Sequence, residues 1–98
     1  MGKYLMLWEI DETKIPVNRQ EIGVGWSALL DVAKKDLQKG MMKDWGIFVG
    51  EVKGYLVVEG DEVEIMNWSL QYTPFVQFEP HAIASLSQAY ESVETLLK

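Results

Sequence analysis

The stretch that decides the fold is "DWGIFVGEVKGYLVVEG", Asp44–Gly60. Aromatic and β-branched residues crowd both halves, and glycines punctuate them, so it reads as two strands at about 45–51 and 55–59. The Lys53-Gly54 step is expected to form the tight turn between them, because glycine takes the positive φ that a hairpin turn requires.

Working outward, the apolar period changes on both sides. Upstream, Trp26, Leu29, Leu30, Ala33, Leu37 and Met41 recur at helical spacing. Asp31, Lys34, Lys35 and Gln38 take the opposite side, and Gly40 is placed to cap the C-terminus. Downstream, "GDEVEIMNWSLQYT" reads as a second helix. Asp61 stands at its cap with Glu64 three residues later, a variant of the capping box. Val63, Met66, Asn67 and Leu70 are the expected inner face. Farther out, "KYLMLWEI" (Lys3–Ile10) is a strand, and "FVQFEP" (Phe75–Pro80) is another after the break at Pro74. Residues 11–25 form a long loop in this reading, kept irregular by Pro16, Gly23 and Gly25. Ser85 with Gln88 opens a final amphipathic helix carrying Ala89, Tyr90, Val93, Leu96 and Leu97.

The order strand–helix–strand–strand–helix–strand, plus a C-terminal helix, defines an α+β chain of ferredoxin-like βαββαβ pattern. A single domain over 1–98 is expected, with a four-stranded antiparallel sheet and helices on one face. The strands are apolar on both faces: Tyr4, Met6 and Trp8 oppose Leu5 and Leu7, and Leu56 and Val58 oppose Tyr55 and Val57. The face without helices would then be a large exposed apolar patch in a monomer. The sequence therefore predicts a homodimer that buries this open sheet face in a two-fold contact.

Composition excludes several partners. The net charge of -6 opposes binding to nucleic acid or an anionic membrane surface, both of which need a basic footprint. Without cysteine there is no disulfide framework, thiolate metal site or cysteine nucleophile. The apolar run at the start ends at Glu9, too short for a signal sequence or a spanning helix. A cytoplasmic location is the default expectation.

The candidate chemistry is sparse. His81, the single histidine, lies two residues past Glu79, on the same face if the strand continues through Pro80. Histidine titrates near neutrality, so a Glu79–His81 pair has the ingredients of acid–base work; the plainer alternative is a solvated strand end. Glu9 and Glu79 belong to strands that neighbour each other in this topology, so their carboxylates become a second candidate pair. Glu9, Glu79 and His81 are thus the candidate catalytic residues. No metal-ligand spacing and no phosphate-binding glycine motif occurs, so no metal and no cofactor is expected. Trp8, Trp26, Trp45 and Tyr72 are the candidate walls of an apolar ligand pocket, with core or interface packing the competing use of such rings.

In its order of elements, over roughly residues 3–97, the chain resembles the dimeric α/β-barrel superfamily, which includes muconolactone-isomerase-like proteins and small monooxygenases. The stretch "NWSLQYTPFVQFEPHAIASLSQAYESV" looks most like a family of small domains without assigned function. In that family an aromatic-bearing helix leads into a Phe-Glu-containing strand and a Ser-capped helix. Glu9 fits the same pattern; His81 departs from it, where an aliphatic residue is more usual. The resemblance implies a dimeric α/β barrel. The expected activity is binding of a small, partly apolar molecule between sheet and helices, under the 11–25 loop. The alternatives are a cofactor-free isomerase or monooxygenase using Glu9, Glu79 or His81, and a purely structural or regulatory homodimer.

Overall fold

The computed structural model of the chain describes residues 2–98, Met1 lying outside the described residues. Its elements are β1 (Gly2–Ile10), α1 (Arg19–Lys39), β2 (Met42–Ile47), β3 (Lys53–Gly60), α2 (Glu62–Leu70), β4 (Val76–Ala82) and α3 (Leu86–Glu94), with a 3-10 turn at Glu12–Lys14. The strands pair antiparallel in one sheet of order β2-β3-β1-β4. The chain is thus α+β, four strands and three helices, an arrangement compatible with the ferredoxin-like pattern.

Strand alternation sorts the side chains. Met6 and Trp8 of β1, Leu56 and Val58 of β3 and Val76 of β4 point to one face and are buried there. They pack with Ala33 from α1 and with Ile65 and Trp68 from α2. Register explains one glycine: Gly54 pairs with Trp8, and a Cβ at Gly54 would run into the Trp8 ring and the Gly46 carbonyl. Gly54 therefore serves close approach inside β3 rather than the expected turn. The turn lies earlier, with Glu51 N–H donating to the Phe48 carbonyl at 3.1 Å and Gly50 at φ 79°. The strands accordingly run 42–47 and 53–60 instead of 45–51 and 55–59, and a bulge interrupts β2 between Met42 and Asp44.

β4 continues past Pro80 through His81 to Ala82. Pro80 stands opposite Met6. The flanking bonds, Ile83 N–H to the Lys3 carbonyl and Asp11 N–H to the Phe75 carbonyl, place the β1–β4 bonding at odd positions. In an antiparallel ladder the even positions then face away from β1, so the N–H that proline lacks is one that would have pointed outward.

The 11–25 loop is shorter than its composition suggests. Asn18 accepts from the N–H groups of Gln20 and Glu21, so α1 starts at Arg19. Gly23 and Gly25 thus lie inside the helix, each at about 1 kcal/mol relative to alanine. The helix ends as expected at Gly40, in the left-handed region at φ 92°. Its inner stripe is rotated from the expected one. Trp26, Leu29, Ala33 and Asp36 face inward, whereas Leu30 and Leu37 are exposed.

A similar correction applies to α2. Its capping box between Asp61 and Glu64 forms, but Ile65 and Trp68 are buried while Val63, Met66, Asn67 and Leu70 are exposed. Two apolar stripes compete on this helix, and the one containing Trp68 prevails. The Trp68 indole N–H donates to Asp36 at 2.8 Å, and its ring packs against Tyr72 and Phe78 with centroids 5.1 and 5.3 Å away.

α3 opens at the predicted Ser85–Gln88 capping box. All residues from His81 to Lys98 are exposed, including Leu86, Tyr90, Val93, Leu96 and Leu97. The molecule measures 62 × 26 × 19 Å with a radius of gyration of 16.4 Å, against about 13 Å for a compact chain of this size. The nine residues of β1 span about 30 Å, only about half of the long axis.

Candidate functional site

A cavity of about 560 Å³ opens between α1, the 3-10 turn with the residues after it, and the segment that leads from α2 into β4. Ile10 and Val76, paired across β1 and β4, form its floor. Ile22, Trp26, Leu29 and Val32 of α1 make one wall, Tyr72 and Phe75 another, and Ile15 and Pro16 the roof. Lys14 is its one charged lining side chain. Asp11 fixes this roof: it accepts from Thr13 N–H at 3.0 Å and from the Thr13 hydroxyl at 2.7 Å. Those two bonds, the hydroxyl's the larger effect, hold the Asp11 carboxyl below its ordinary range.

The wall at Tyr72 is anchored by a group the sequence reading missed. Asp36 is buried, and the Trp68 indole and the Tyr72 hydroxyl both donate to its Oδ2. Burial pushes the Tyr72 phenol well above its ordinary value, reinforced by the bond to Asp36 and by that residue's charge. Tyr72 therefore keeps its proton and acts as a donor to Asp36. Its ring meets Phe78 edge-on, with centroids 5.8 Å apart at 86°. The sequence signal was spacing: Asp36 follows Trp26, Leu29 and Ala33 at helical intervals, on the apolar stripe.

Of the four candidate pocket residues, Trp26 and Tyr72 line this cavity. Trp8 and Trp45 stand behind it, stacked with centroids 5.5 Å apart and 17° between planes. Together they border a gap of about 10 Å³, shared with Leu29, Tyr72 and Val76. Trp8 spends its N–H on the Tyr55 carbonyl at 3.2 Å. Trp8 is buried core and Trp45 packs half-buried against it; beyond that gap, Trp8 borders a shallow hollow on the other face of the sheet.

Glu9, Glu79 and His81 lie on the opposite side of the sheet. Leu7 pairs with Glu79, Leu5 with His81 and Glu9 with Gln77, so all three project with Leu5 and Leu7 from the face that the helices leave open. Glu9 and Glu79 are diagonal neighbours there and border a shallow hollow of about 370 Å³ with Leu7, Phe48 and Lys53. The nearest cation to Glu9 is Lys53, at 4.0 Å. His81 Nε2 lies 3.0 Å from Glu79 Oε2, so the Glu-X-His pair does form, but in water: the two side chains are 54% and 68% exposed. Tyr55, also on this face, donates to Asp44 at 2.9 Å, which raises its phenol pKa.

Among the described residues, no three His, Cys, Asp or Glu side chains gather as metal ligands would, and no helix is long and apolar enough to cross a membrane. No family model matches the chain, and no curated protein matches it.

Proposed function

We propose that this chain binds a small, partly apolar molecule in the cavity between α1 and the α2–β4 segment, within a homodimer formed through its open sheet face. The observation that carries the binding reading is the cavity itself. At about 560 Å³ it falls within the range of small-molecule sites, and its walls are aromatic and aliphatic with few polar groups. Lys14 at the mouth suits a ligand whose polar end is anionic or rich in acceptors. The Asp36 bond gives one wall the fixed geometry that a preformed site needs.

The dimer half of the proposal rests on the open face, where Leu5, Leu7, Tyr55 and Val57 remain partly exposed with no helix over them. Sheet packing of the dimeric α/β-barrel kind would bury them. The enzyme alternative draws less support, because Glu9, Glu79 and His81 are across the sheet from the cavity and cannot reach a molecule held there.

Native mass spectrometry of freshly purified protein tests both halves together. The expected spectrum shows a dimer with added mass that leaves on mild activation. A monomer with no retained mass, coupled with failure to bind the neutral apolar dye Nile red, would defeat the proposal. Gly25→Leu localises the site: a Cβ at Gly25 meets nothing within 4 Å, and the larger side chain projects from a cavity-lining position. It is expected to leave the fold intact and reduce dye affinity at least tenfold.

A further inference from the structure

The cavity is open on one side, and the same chain carries an apolar helix none of whose residues is buried. Phe75 and Val32 at the cavity's rim are 57% and 39% exposed. On α3, Leu86, Tyr90 and Val93 follow one another at helical spacing, with Leu97 three residues past its end, and all four are 49–80% exposed. Anchors at i, i+4 and i+7 are the signature of a helix that lays one face into an apolar groove.

We infer that α3 is an exchanged arm: the α3 of a second copy of this chain lies across the cavity mouth and closes it. This rests on the cavity reading above, to which it adds the missing wall. The arm's departure point argues for a second copy. The cavity lies at the Val76 end of β4, and α3 leaves from the Ala82 end, about 20 Å away along a seven-residue strand. Nothing from His81 onward is buried by its own chain.

The area is sufficient. Burying one such side chain corresponds to about 60–120 Å², so four anchors at their present exposure bring about 250 Å². Two arms and two receiving grooves then remove about 1,000 Å² from water, the threshold of a specific interface. Contact through the open sheet faces would carry the dimer beyond it.

The absence of cysteine makes the test clean. Full-length Tyr90→Cys chain is mixed with full-length Phe75→Cys chain under mild oxidation, and the covalent pair is read on a non-reducing gel. Tyr90→Cys with Val63→Cys, at the exposed start of α2, is the control. An exchanged arm gives crosslinking between the first pair at least tenfold faster than between the second. Equal rates overturn the proposal. So does a Tyr90→Cys/Phe75→Cys double variant that closes its disulfide within one chain. Nile red binding separates this from the cavity reading. Loss of dye affinity in the full-length Tyr90→Asp/Val93→Asp chain supports an arm that completes the site. Unchanged affinity retains the cavity but removes the arm from it. Fast crosslinking without dye binding by the parent chain retains the arm and defeats the ligand.

Discussion

Removing the Asp36 carboxylate should destabilise the protein by about 3 kcal/mol, a value built from the two donors left behind. The Trp68 side belongs to a residue only 4% exposed, so its indole N–H has little access to water once Asp36 is gone. An orphaned buried donor costs about 1–3 kcal/mol, and we take 2 kcal/mol as the centre for Trp68. Tyr72 is half-buried and recovers some hydration, so its hydroxyl adds about 1 kcal/mol. For a chain of 98 residues the whole stability is about 5–15 kcal/mol, so Asp36→Ala removes a large part of it. Asp36→Asn keeps an acceptor oxygen in nearly the same place and should lose only about 1 kcal/mol. Urea unfolding followed by tryptophan fluorescence and circular dichroism measures these values, with equal slopes required for the comparison. A double-mutant cycle isolates the network: Tyr72→Phe should cost about 1 kcal/mol in the parent and almost nothing beside Asp36→Ala. Additive losses, or Asp36→Ala under about 0.5 kcal/mol, would refute the assignment of Asp36 as the anchor of α1 to the Tyr72 wall.

The contribution of Tyr72 to stability should be constant up to about pH 10 and be lost above it, because Tyr72 has a raised pKa in the folded protein and an ordinary one in the unfolded chain. The unfolded state gives up the phenolic proton first, so rising pH favours it; urea midpoints across alkaline pH check the sign, and Tyr72→Phe should flatten the decline. Gly54→Ala should unfold the protein or cost more than about 3 kcal/mol, since its methyl meets the Gly46 carbonyl and the Trp8 ring, and thermal denaturation reads the loss. Gly23→Ala, by contrast, places a methyl in open space inside α1 and should stabilise by about 1 kcal/mol in the same assay.

The element order was legible because strand and helix periods differ strongly around Asp44–Gly60, and local signals at Gly40, Asp61 and Ser85 marked helix ends through chemistry contained within a few residues. Glycine was ambiguous for a physical reason. Gly50 supplies a positive φ and Gly54 supplies room for an indole, yet both appear in sequence as the same residue between strands. The α1 start was readable in Asn18 with Glu21, but Gly23 and Gly25 argued for a loop more loudly than one cap argued for a helix. On α2 the choice between two stripes depends on Asp36, a residue of another helix, and periodicity within α2 holds no information about it. The same non-locality governs the site. Trp26 and Tyr72 line the cavity, whereas Trp8 and Trp45 do not, because stacking between β1 and β2 consumes their surfaces.

Pro80 has a consequence for how the molecule survives at high concentration. A four-stranded sheet has two free borders, and a border of unpaired backbone groups invites uncontrolled strand addition and fibrous aggregation. At the β4 border, Pro80 removes one of the outward donors that an incoming strand would need. At the β2 border, the bulge between Met42 and Asp44 breaks the spacing of the next ladder. Both rims of the sheet are therefore poor templates, and contacts between molecules are diverted from shared backbone ribbons to side-chain surfaces, where sequence dictates the partner.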